Sequence, residues 1–503
     1  MGGLFATLGV AGSSLDVLQQ AIGVVQNNVT NATTPGYVTQ TQQLASRAFN
    51  PSESLIGGVE ATGVQSARDI YAEQSVWSAS QQSGLANTQS ANLSSLQQIF
   101  DVSGTSGVPG ALSGLYSAFS AWSANPSSTT AQQSVLTAAQ TLATSFSQTV
   151  SQAQQINTNN DQQMTASVSQ LNQDSAQVAT INGEIRSSPG GRNDAGLQAQ
   201  LYTTLQDMSS VAPVTVHIES DGTATVLLGG QAPLVMGTTQ NNVTLSYPPT
   251  PATAPYPNAA PTNAQLTVAG QDVTSLVNQG ALGAELTFAN TTMPSLLGNG
   301  QTQGSLNQLA QTVADRVNTL LQAGDSSAGS AGPPVVAAVK GVPLFTYTAG
   351  SPTGIAASLG VANITGSQLA AITPAVAASP GPPVVAATPA VANGVATELA
   401  GLVNPTNPLD MLNGFSYTQS YGNIASNIGQ QAATATANAT TTTNILNQAT
   451  TLRASVSGVS LNDQATQLLQ YQEAYQASAQ MITVINTIAQ DLLSASAAWV
   501  AQP

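Results

Sequence analysis

Ser457-Gly458-Val459-Ser460-Leu461-Asn462-Asp463 opens the stretch that organises the rest of the chain, a run to about residue 493 that holds no further Gly and no Pro. Within it Leu468, Tyr471, Tyr475, Ser478, Ile482, Ile485, Ala489 and Leu492 recur at alternating spacings of three and four. On a helix these positions form one seam, and Ser460 with Asp463 offers a capping-box start. Such a seam must be covered by another helix. The opposite end of the chain supplies a candidate: Leu4, Leu8, Ala11, Leu15, Leu18, Ile22, Val25 and Val29 alternate in the same way. Ordinary core helices of a bundle carry this spacing too. With more than four hundred residues between two matching seams, the simplest reading is that the ends pack together and the middle is displayed. Two helices alone bury little, so the ends are expected to be ordered mainly within an assembly.

The chain has 503 residues, enough for more than one domain. Only 6% are charged, far below the usual quarter, and Gln, Asn, Ser, Thr and Ala take their place. The net charge of −15 and the single lysine, Lys340, argue against nucleic acid as a partner, because there is no basic patch to displace counterions. Surfaces this poor in charge meet with little desolvation cost, which suits a subunit that polymerises. The absence of cysteine excludes disulfides, thiol nucleophiles and Cys-based metal sites. No Lys or Arg precedes Arg47, so no cleavable signal peptide is expected. No run is expected to reach membrane-spanning length, and no membrane partner is expected.

Along the chain, Thr34-Pro35-Gly36-Tyr37 ends the first helix in a turn. Residues 38–70 read as extended chain or a small hairpin. From about 70 to 206 the pattern is helical, with segments at 72–100, 111–124, 130–186 and 193–208. At Val211 it changes: Val214, Val216 and Ile218 alternate with Thr215, His217 and Glu219. Asp221-Gly222 is a hairpin turn before Ala224, Val226 and Leu228. Residues 247–262 read as a loop, 266–277 and 282–288 as strands, and 304–321 as helix. Residues 325–400 are low in complexity. GPPVVAA recurs at 332–338 and 381–387, and TPAVA at 373–377 and 388–392, which read as exposed loop with short edge strands. From Met411 the chain is helical again.

The expected fold is therefore α+β and multidomain, with paired coiled-coil-type terminal helices, a long helical rod and an inserted β-rich outer domain. The boundaries are 1–60 for the N-terminal helix and its extended segment, 61–210 for the first part of the helical rod and 211–303 for the β-rich outer domain. A return helix at 304–324, a Pro/Ala-rich segment at 325–410, a second rod part at 411–456 and the C-terminal helix at 457–503 complete it.

Residues that carry chemistry are sparse. His217, the only histidine, falls on the polar side of its strand, so neither a His-based metal site nor a Ser-His-Asp triad has support. Asp194, Asp207, Glu219 and Asp221 form no paired set on a helix face, and a turn explains Glu219 to Gly222 better than a calcium loop. Gly229-Gly230 is too short to cradle a phosphate, and Asn363-Ile364-Thr365 is expected by chance in so Asn- and Thr-rich a chain. No enzyme activity, cofactor or metal is expected.

Asn27-Asn28-Val29-Thr30-Asn31-Ala32-Thr33-Thr34-Pro35-Gly36-Tyr37 resembles the N-terminal signature of the bacterial flagellar axial proteins, the rod, hook and hook-associated subunits. Thr33 stands where that family usually has Asn, and Thr30 where it usually has Ala. Ser457-Gly458-Val459-Ser460-Leu461-Asn462 and the run from Leu468 to Ala479 resemble the C-terminal signature. Asn31, Pro35, Gly36, Tyr37, Ser457, Gly458 and Val459 are the motif positions. The long helical region, residues 112–125 before Pro126, residues 193–205, Leu228 to Leu234 and Gly341-Val342-Pro343-Leu344-Phe345 are similar to the hook-associated subunits in particular. The likeness is poorest over 238–262 and 366–400.

This resemblance implies a structural subunit at the junction between hook and filament. It implies export through the flagellar type III channel without a cleaved signal, and residence in the extracellular flagellum. Copies of itself in a ring, the hook protein, the next hook-associated junction protein and a cytoplasmic export chaperone on the C-terminal segment are the implied partners. Leu8, Leu15, Leu18, Ile22 and Val25, with Leu468, Tyr471, Tyr475, Ile482, Ile485 and Leu492, are the expected assembly contacts. A hook or distal-rod subunit is the alternative, and an adhesin or enzyme displayed by the outer domain a more distant one.

Overall fold

The computed structural model describes residues 2–50, 55–100, 104–188, 190–248, 263–299, 302–328, 337–349, 354–377 and 388–500. It is mostly helical with several small sheets. α1 (Gly2–Thr30) turns into an antiparallel hairpin of β1 (Gln40–Ser46), β2 (Phe49–Asn50), β3 (Leu55–Ile56) and β4 (Val59–Ser66). Four helices follow: α2 (Ile70–Gln97), α3 (Gly107–Ala124), α4 (Thr129–Ser187) and α5 (Ala195–Val211). Next come β5 (Val214–Ile218), β6 (Ala224–Leu228), β7 (Ala232–Met236), β8 (Thr239–Gln240), β9 (Val243–Ser246), β10 (Gln265–Val268) and β11 (Gln271–Asp272). α6 (Gly280–Thr287) and α7 (Met293–Leu297) flank a π-helical turn, Phe288–Thr292, and α8 (Ser305–Ala323) follows. A stretch of short elements leads to α9 (Gly394–Gly401), and the chain ends in α10 (Tyr417–Ser457) and α11 (Leu461–Val500).

Two compact units emerge. The first comprises Met1–Ser83, Gln170–Asn242 and Thr441–Pro503; the second comprises Gly84–Ser169 and Val243–Thr440. In the first, α1 packs along α11 and also against the β1–β4 hairpin. Strands β5 to β8 form an antiparallel sheet in sequence order, with Val214 opposite Leu228 and Val216 opposite Val226. Gly222, at φ +89°, takes the left-handed position the hairpin turn requires. Asn182 of α4 joins helix to sheet: its Nδ2 donates to the carbonyls of Ala224 at 2.8 Å and Gly237 at 2.7 Å, and its Oδ1 accepts from the Ala224 N–H. That satisfies a buried carboxamide on both ends.

The second unit holds a large aromatic and aliphatic core. Phe119, Trp122, Phe146, Tyr417 and Tyr421 are buried there among Leu and Val side chains from α3, α4 and α8. The Trp122 indole N–H donates to the Pro126 carbonyl at 3.2 Å, so the ring is buried without an orphaned donor. The stretch 211–303 is divided: β5–β8 lie in the first unit, and the separate sheet β11-β10-β9 lies in the second.

Two expectations in this region are corrected. Residues 282–288 are helical, not a strand. Leu282, Leu286, Ala289, Met293 and Leu296 are all buried, and their spacings of four, three, four and three continue beyond Phe288 at the helical period. The strand expected at 266–277 stops at Val268, turns at Ala269-Gly270 and returns as the antiparallel β11 before a 3-10 turn, Thr274–Leu276.

The TPAVA repeats pair with each other. Thr373 and Val391 exchange N–H···O bonds at 2.9 and 3.0 Å, and Val376 and Thr388 do so at 3.0 Å in both directions. Pro374 and Pro389, which have no N–H, fall between the bonded positions. The GPPVVAA copies at 332–336 and 381–387, and the loop at 249–262, lie outside the described residues.

Candidate functional site

The two signatures, more than four hundred residues apart in sequence, meet in the first unit. The N-terminal one closes α1. Asn31 donates to the Asn27 carbonyl at 3.0 Å, Thr34 Oγ1 donates to Asn31 Oδ1 at 3.2 Å, and the Tyr37 N–H returns to the Thr34 carbonyl at 3.1 Å across Pro35. Gly36 has φ +73°, and a Cβ there would lie 2.3 Å from Thr203 Oγ1 and 2.5 Å from the Ala199 carbonyl oxygen. Only glycine fits that approach to α5.

Asn28 lies fully buried just before this turn. Its Oδ1 accepts from the Gln40 N–H at 2.9 Å and the Tyr37 hydroxyl at 3.0 Å. Its Nδ2 donates to the Gln40 carbonyl and to Gln464 Oε1, both at 2.8 Å. All four hydrogen-bonding positions of one carboxamide are thus used, tying α1 to the hairpin and to α11. Burial pushes the Tyr37 hydroxyl's pKa up.

The C-terminal signature docks on the same hairpin. The Thr39 N–H donates to the Ser457 carbonyl at 2.9 Å, the Thr39 hydroxyl to the Gly458 carbonyl at 2.8 Å, and the Asp69 N–H to Ser457 Oγ at 3.2 Å. A Cβ on Gly458 would stand 2.3 Å from the Ala454 carbonyl oxygen, which restricts the bend between α10 and α11 to glycine. Val459 is half-buried beside it, and the Asp463 N–H donates to Ser460 Oγ at 3.4 Å as α11 begins.

Beside these motifs lies a charge cluster that sequence reading missed. The fully buried Glu73 carboxylate pairs with Arg68 on one side and with Arg453 Nη1 at 3.2 Å on the other. Arg68 also donates to the Gly36 carbonyl at 2.6 Å and lies 3.8 Å over the Tyr202 ring, which stacks on Trp77. Arg453 donates to Gln206 Oε1 at 2.8 Å. Burial lowers the Arg68 pKa, opposed by the Glu73 charge. Two of the chain's seven basic residues thus serve one carboxylate between the signatures. Scarcity was the available signal: with 6% charged residues, an arginine four positions before Ser457 is not casual decoration.

The expected seam residues divide. On α11, Leu468, Tyr471 and Ile482 are half-buried and Ile485 is buried, but Tyr475 and Leu492 are exposed. On α1, Val25 is buried, Leu8, Leu15, Leu18 and Ile22 are half-buried, and Val29 is exposed; the side chain of Leu4 lies outside the described residues. The most buried line of α1 is Ala11, Val17, Ala21, Val25 and Asn28, turned from the expected seam. The cause is the second cover: a Cβ on Gly58 of the hairpin would lie 3.3 Å from Val10 Cγ1, so the hairpin claims a face that helix-pair spacing ignores. A second apolar stripe on α11, Met481, Val484, Ile488 and Leu492, is exposed. Contrary to expectation, Ala6–Thr30 is long and apolar enough to cross a membrane; in the structure it packs on α11 and the hairpin.

Among the described residues, no group of three or more His, Asp or Glu side chains is placed to hold a metal ion. His217 is exposed, Asp194 caps α5 through the N–H groups of Gly196 and Leu197, and Asp221 pairs with Arg186 at 3.0 Å.

Residues 93–335 match the family model of the flagellar hook-associated protein FlgK helical domain, and residues 453–495 match that of the flagellar basal body rod FlgEFG protein C-terminal region. Flagellar hook-associated protein 1 of Escherichia coli K12 is 25% identical over 332 residues, 64% of this chain and 58% of that protein. Its namesake in Bacillus subtilis 168 is 22% identical over 508 residues, 95% of this chain and 96% of that one. The chain is therefore similar to flagellar hook-associated protein 1 of two bacteria, and its residues 93–335 match the FlgK helical domain. The chain spans less than two thirds of the length of the Escherichia coli protein it matches. The flagellar hook junction protein FlgK from Burkholderia pseudomallei shares the fold, with a TM-score of 0.59 and 18% identity over 76% of this chain and all of that structure. The second match begins at Arg453, the cation paired with Glu73, and takes in both Ser457-Gly458 and the α11 seam.

Proposed function

We propose that this protein is the structural subunit that joins hook to filament in the bacterial flagellum, and that it acts by packing rather than catalysis. The observation that carries the reading is the meeting of the two signatures around Asn28, Gln464 and Ser457 beneath a helix that leaves Met481, Val484, Ile488 and Leu492 in solvent. An apolar stripe on a helix that already has one partner suits contact with further copies of the same helix pair. The paired termini form the inner, tube-lining layer in coiled-coil fashion, and the remaining chain faces outward. Leu8, Leu15, Leu18, Ile22 and Val25, with Leu468, Tyr471, Ile482 and Ile485, hold the pair together. Leu492 belongs to the outward stripe, and Tyr475, exposed on the other flank of the covered seam, makes a separate contact between copies.

The subunit leaves the cell through the flagellar type III channel without a cleaved signal. Until then a cytoplasmic chaperone covers the C-terminal segment, whose apolar stripe needs shielding. In place, a ring of copies meets the hook protein on one side and the next hook-associated junction protein on the other. Its mechanical role is to match a flexible polymer to a stiff one.

The test is a strain lacking the gene, scored for hooks, filaments and secreted filament protein. Hooks that form while filament protein is shed unpolymerised support the reading. Loss of the hooks themselves overturns it in favour of a rod or hook subunit, and unchanged motility overturns it altogether.

A further inference from the structure

Helix α11 carries two apolar stripes, and only one is turned to α1. The covered stripe runs through Tyr471, Ala474, Ser478, Ile482, Ile485 and Ala489. The exposed one, Met481, Val484, Ile488 and Leu492, has the larger aliphatic side chains. At 3.6 residues per turn the two lie roughly 90° apart around the helix. Apolar burial has no direction and scales with area. It gives no reason for the smaller, Ser- and Ala-rich stripe to be the one covered. The choice needs a directional contact.

Gln464 provides one. It lies on the covered stripe, at heptad intervals with Tyr471, Ser478 and Ile485, and is only 2% exposed. Its Oε1 accepts from Asn28 Nδ2 at 2.8 Å, a buried side-chain bond that joins the two helices. The bonds of Thr39 and Asp69 to Ser457 and Gly458 hold the bend before α11 and leave the rotation of the helix beyond it open. Turning the second stripe toward α1 would carry Gln464 away and strand one N–H of the fully buried Asn28. One buried polar contact at a seam position is a known way to single out one packing among several apolar ones.

We infer that Asn28 and Gln464 form a positioning pair that selects which apolar face of α11 covers α1, and so which face stays outward. This inference concerns the single chain and stands whether or not the outward stripe meets other copies.

The cysteine-free chain makes a direct test possible. Single cysteines are placed by Val484→Cys, at a position 57% exposed, or Ile485→Cys, at one 9% exposed, and maleimide labelling rates are compared on the full chain. With Gln464 present, the first should react at least about tenfold faster. Gln464→Leu removes the bond between the helices while leaving the Asn28 bonds to Gln40 and Tyr37 in place. It should bring the two rates within about threefold of each other with helix content by circular dichroism unchanged. Gln464→Glu, whose carboxyl oxygens accept from Asn28 Nδ2 whether or not the group is protonated, should restore the difference. A ratio unaltered by Gln464→Leu overturns the inference. If Gln464→Leu unpairs the helices, Gln464→Met repeats the test. Unpairing by both variants also overturns it, since the contact would then hold the helices together rather than choose between faces.

Discussion

In the second unit Trp122, Phe119, Phe146 and Tyr417 are all but removed from solvent, packed by helices from distant parts of the chain. In the first, α11 leaves Met481, Val484, Ile488 and Leu492 outside and closes on α1 with Ala, Ser and half-buried Ile. The second unit draws its stability from close packing of large side chains. The paired termini depend more on a few polar contacts: the Asn28 carboxamide, the Ser457 bonds and Glu73 between two arginines. The difference teaches where direction comes from. A dense core is specific through shape, whereas a thin seam of small residues takes its geometry from hydrogen bonds.

The sharpest way to break this comparison is to damage each region by its own mechanism. Trp122→Ala should cost about 3–5 kcal/mol through the cavity it leaves. Amide exchange should rise in α3, α4 and α8, while α1 and α11 keep their protection. A loss spread evenly over both units would refute the separation.

Glu73→Ala strands Arg68 and Arg453 together in a buried site and should cost about 3–5 kcal/mol. Exchange in α1 and in the bend at Ser457 should rise first. If unfolding by urea shows less than about 1 kcal/mol of change, the cluster is not what fixes the termini.

A third experiment adds pH. Glu285 of α6 is nearly buried, and its Oε1 accepts from Ser167 Oγ at 3.0 Å. Burial pushes its pKa up to about 7, and only the Ser167 hydrogen bond opposes this. The folded state therefore keeps a proton that the unfolded chain gives up from about pH 4.3. Stability from this group is full below that value and is lost as pH rises through 7. Glu285→Gln should match the parent near pH 4 and exceed it by on the order of 2–3 kcal/mol at pH 8, read from urea midpoints. A gain that does not grow with pH would show that Glu285 ionises freely in the fold.

The smallest effect on stability is expected at the outward stripe. Val484→Asp or Ile488→Asp should change monomer stability by less than about 0.5 kcal/mol, yet stop incorporation into flagella in a motility assay. Ile482→Asp, on the covered seam, should lower stability as well as block incorporation. Normal filaments with Val484→Asp would remove the stripe from the assembly surface.

Much of this fold was legible in the residues. On α11, Ile485 is buried and Leu468, Tyr471, Ser478, Ile482 and Ala489 are half-buried, the period of a helix covered on one side. On α1 the most buried line is turned from the expected seam because two partners cover that helix, and periodicity describes one face at a time. Residues 282–288 misled because a short apolar run fits either period. The Glu73 cluster was invisible for another reason: Arg453 is brought to Glu73 by folding across 380 positions of sequence. Nor does spacing show which of two stripes on α11 is covered, since both satisfy it.

The paired TPAVA segments carry a further consequence. Each copy is complementary to an identical copy of itself, because Thr373 bonds to Val391 just as Thr388 bonds to Val376. Such a sequence has no chemical means of distinguishing the copy in its own chain from the one in a neighbouring molecule. What decides is tethering: a copy on the same chain is present at an effective concentration on the order of millimolar. Free subunits in dilute solution therefore close on themselves. Where subunits stand packed side by side, that advantage shrinks, and the same four hydrogen bonds become available as strand exchange between neighbours.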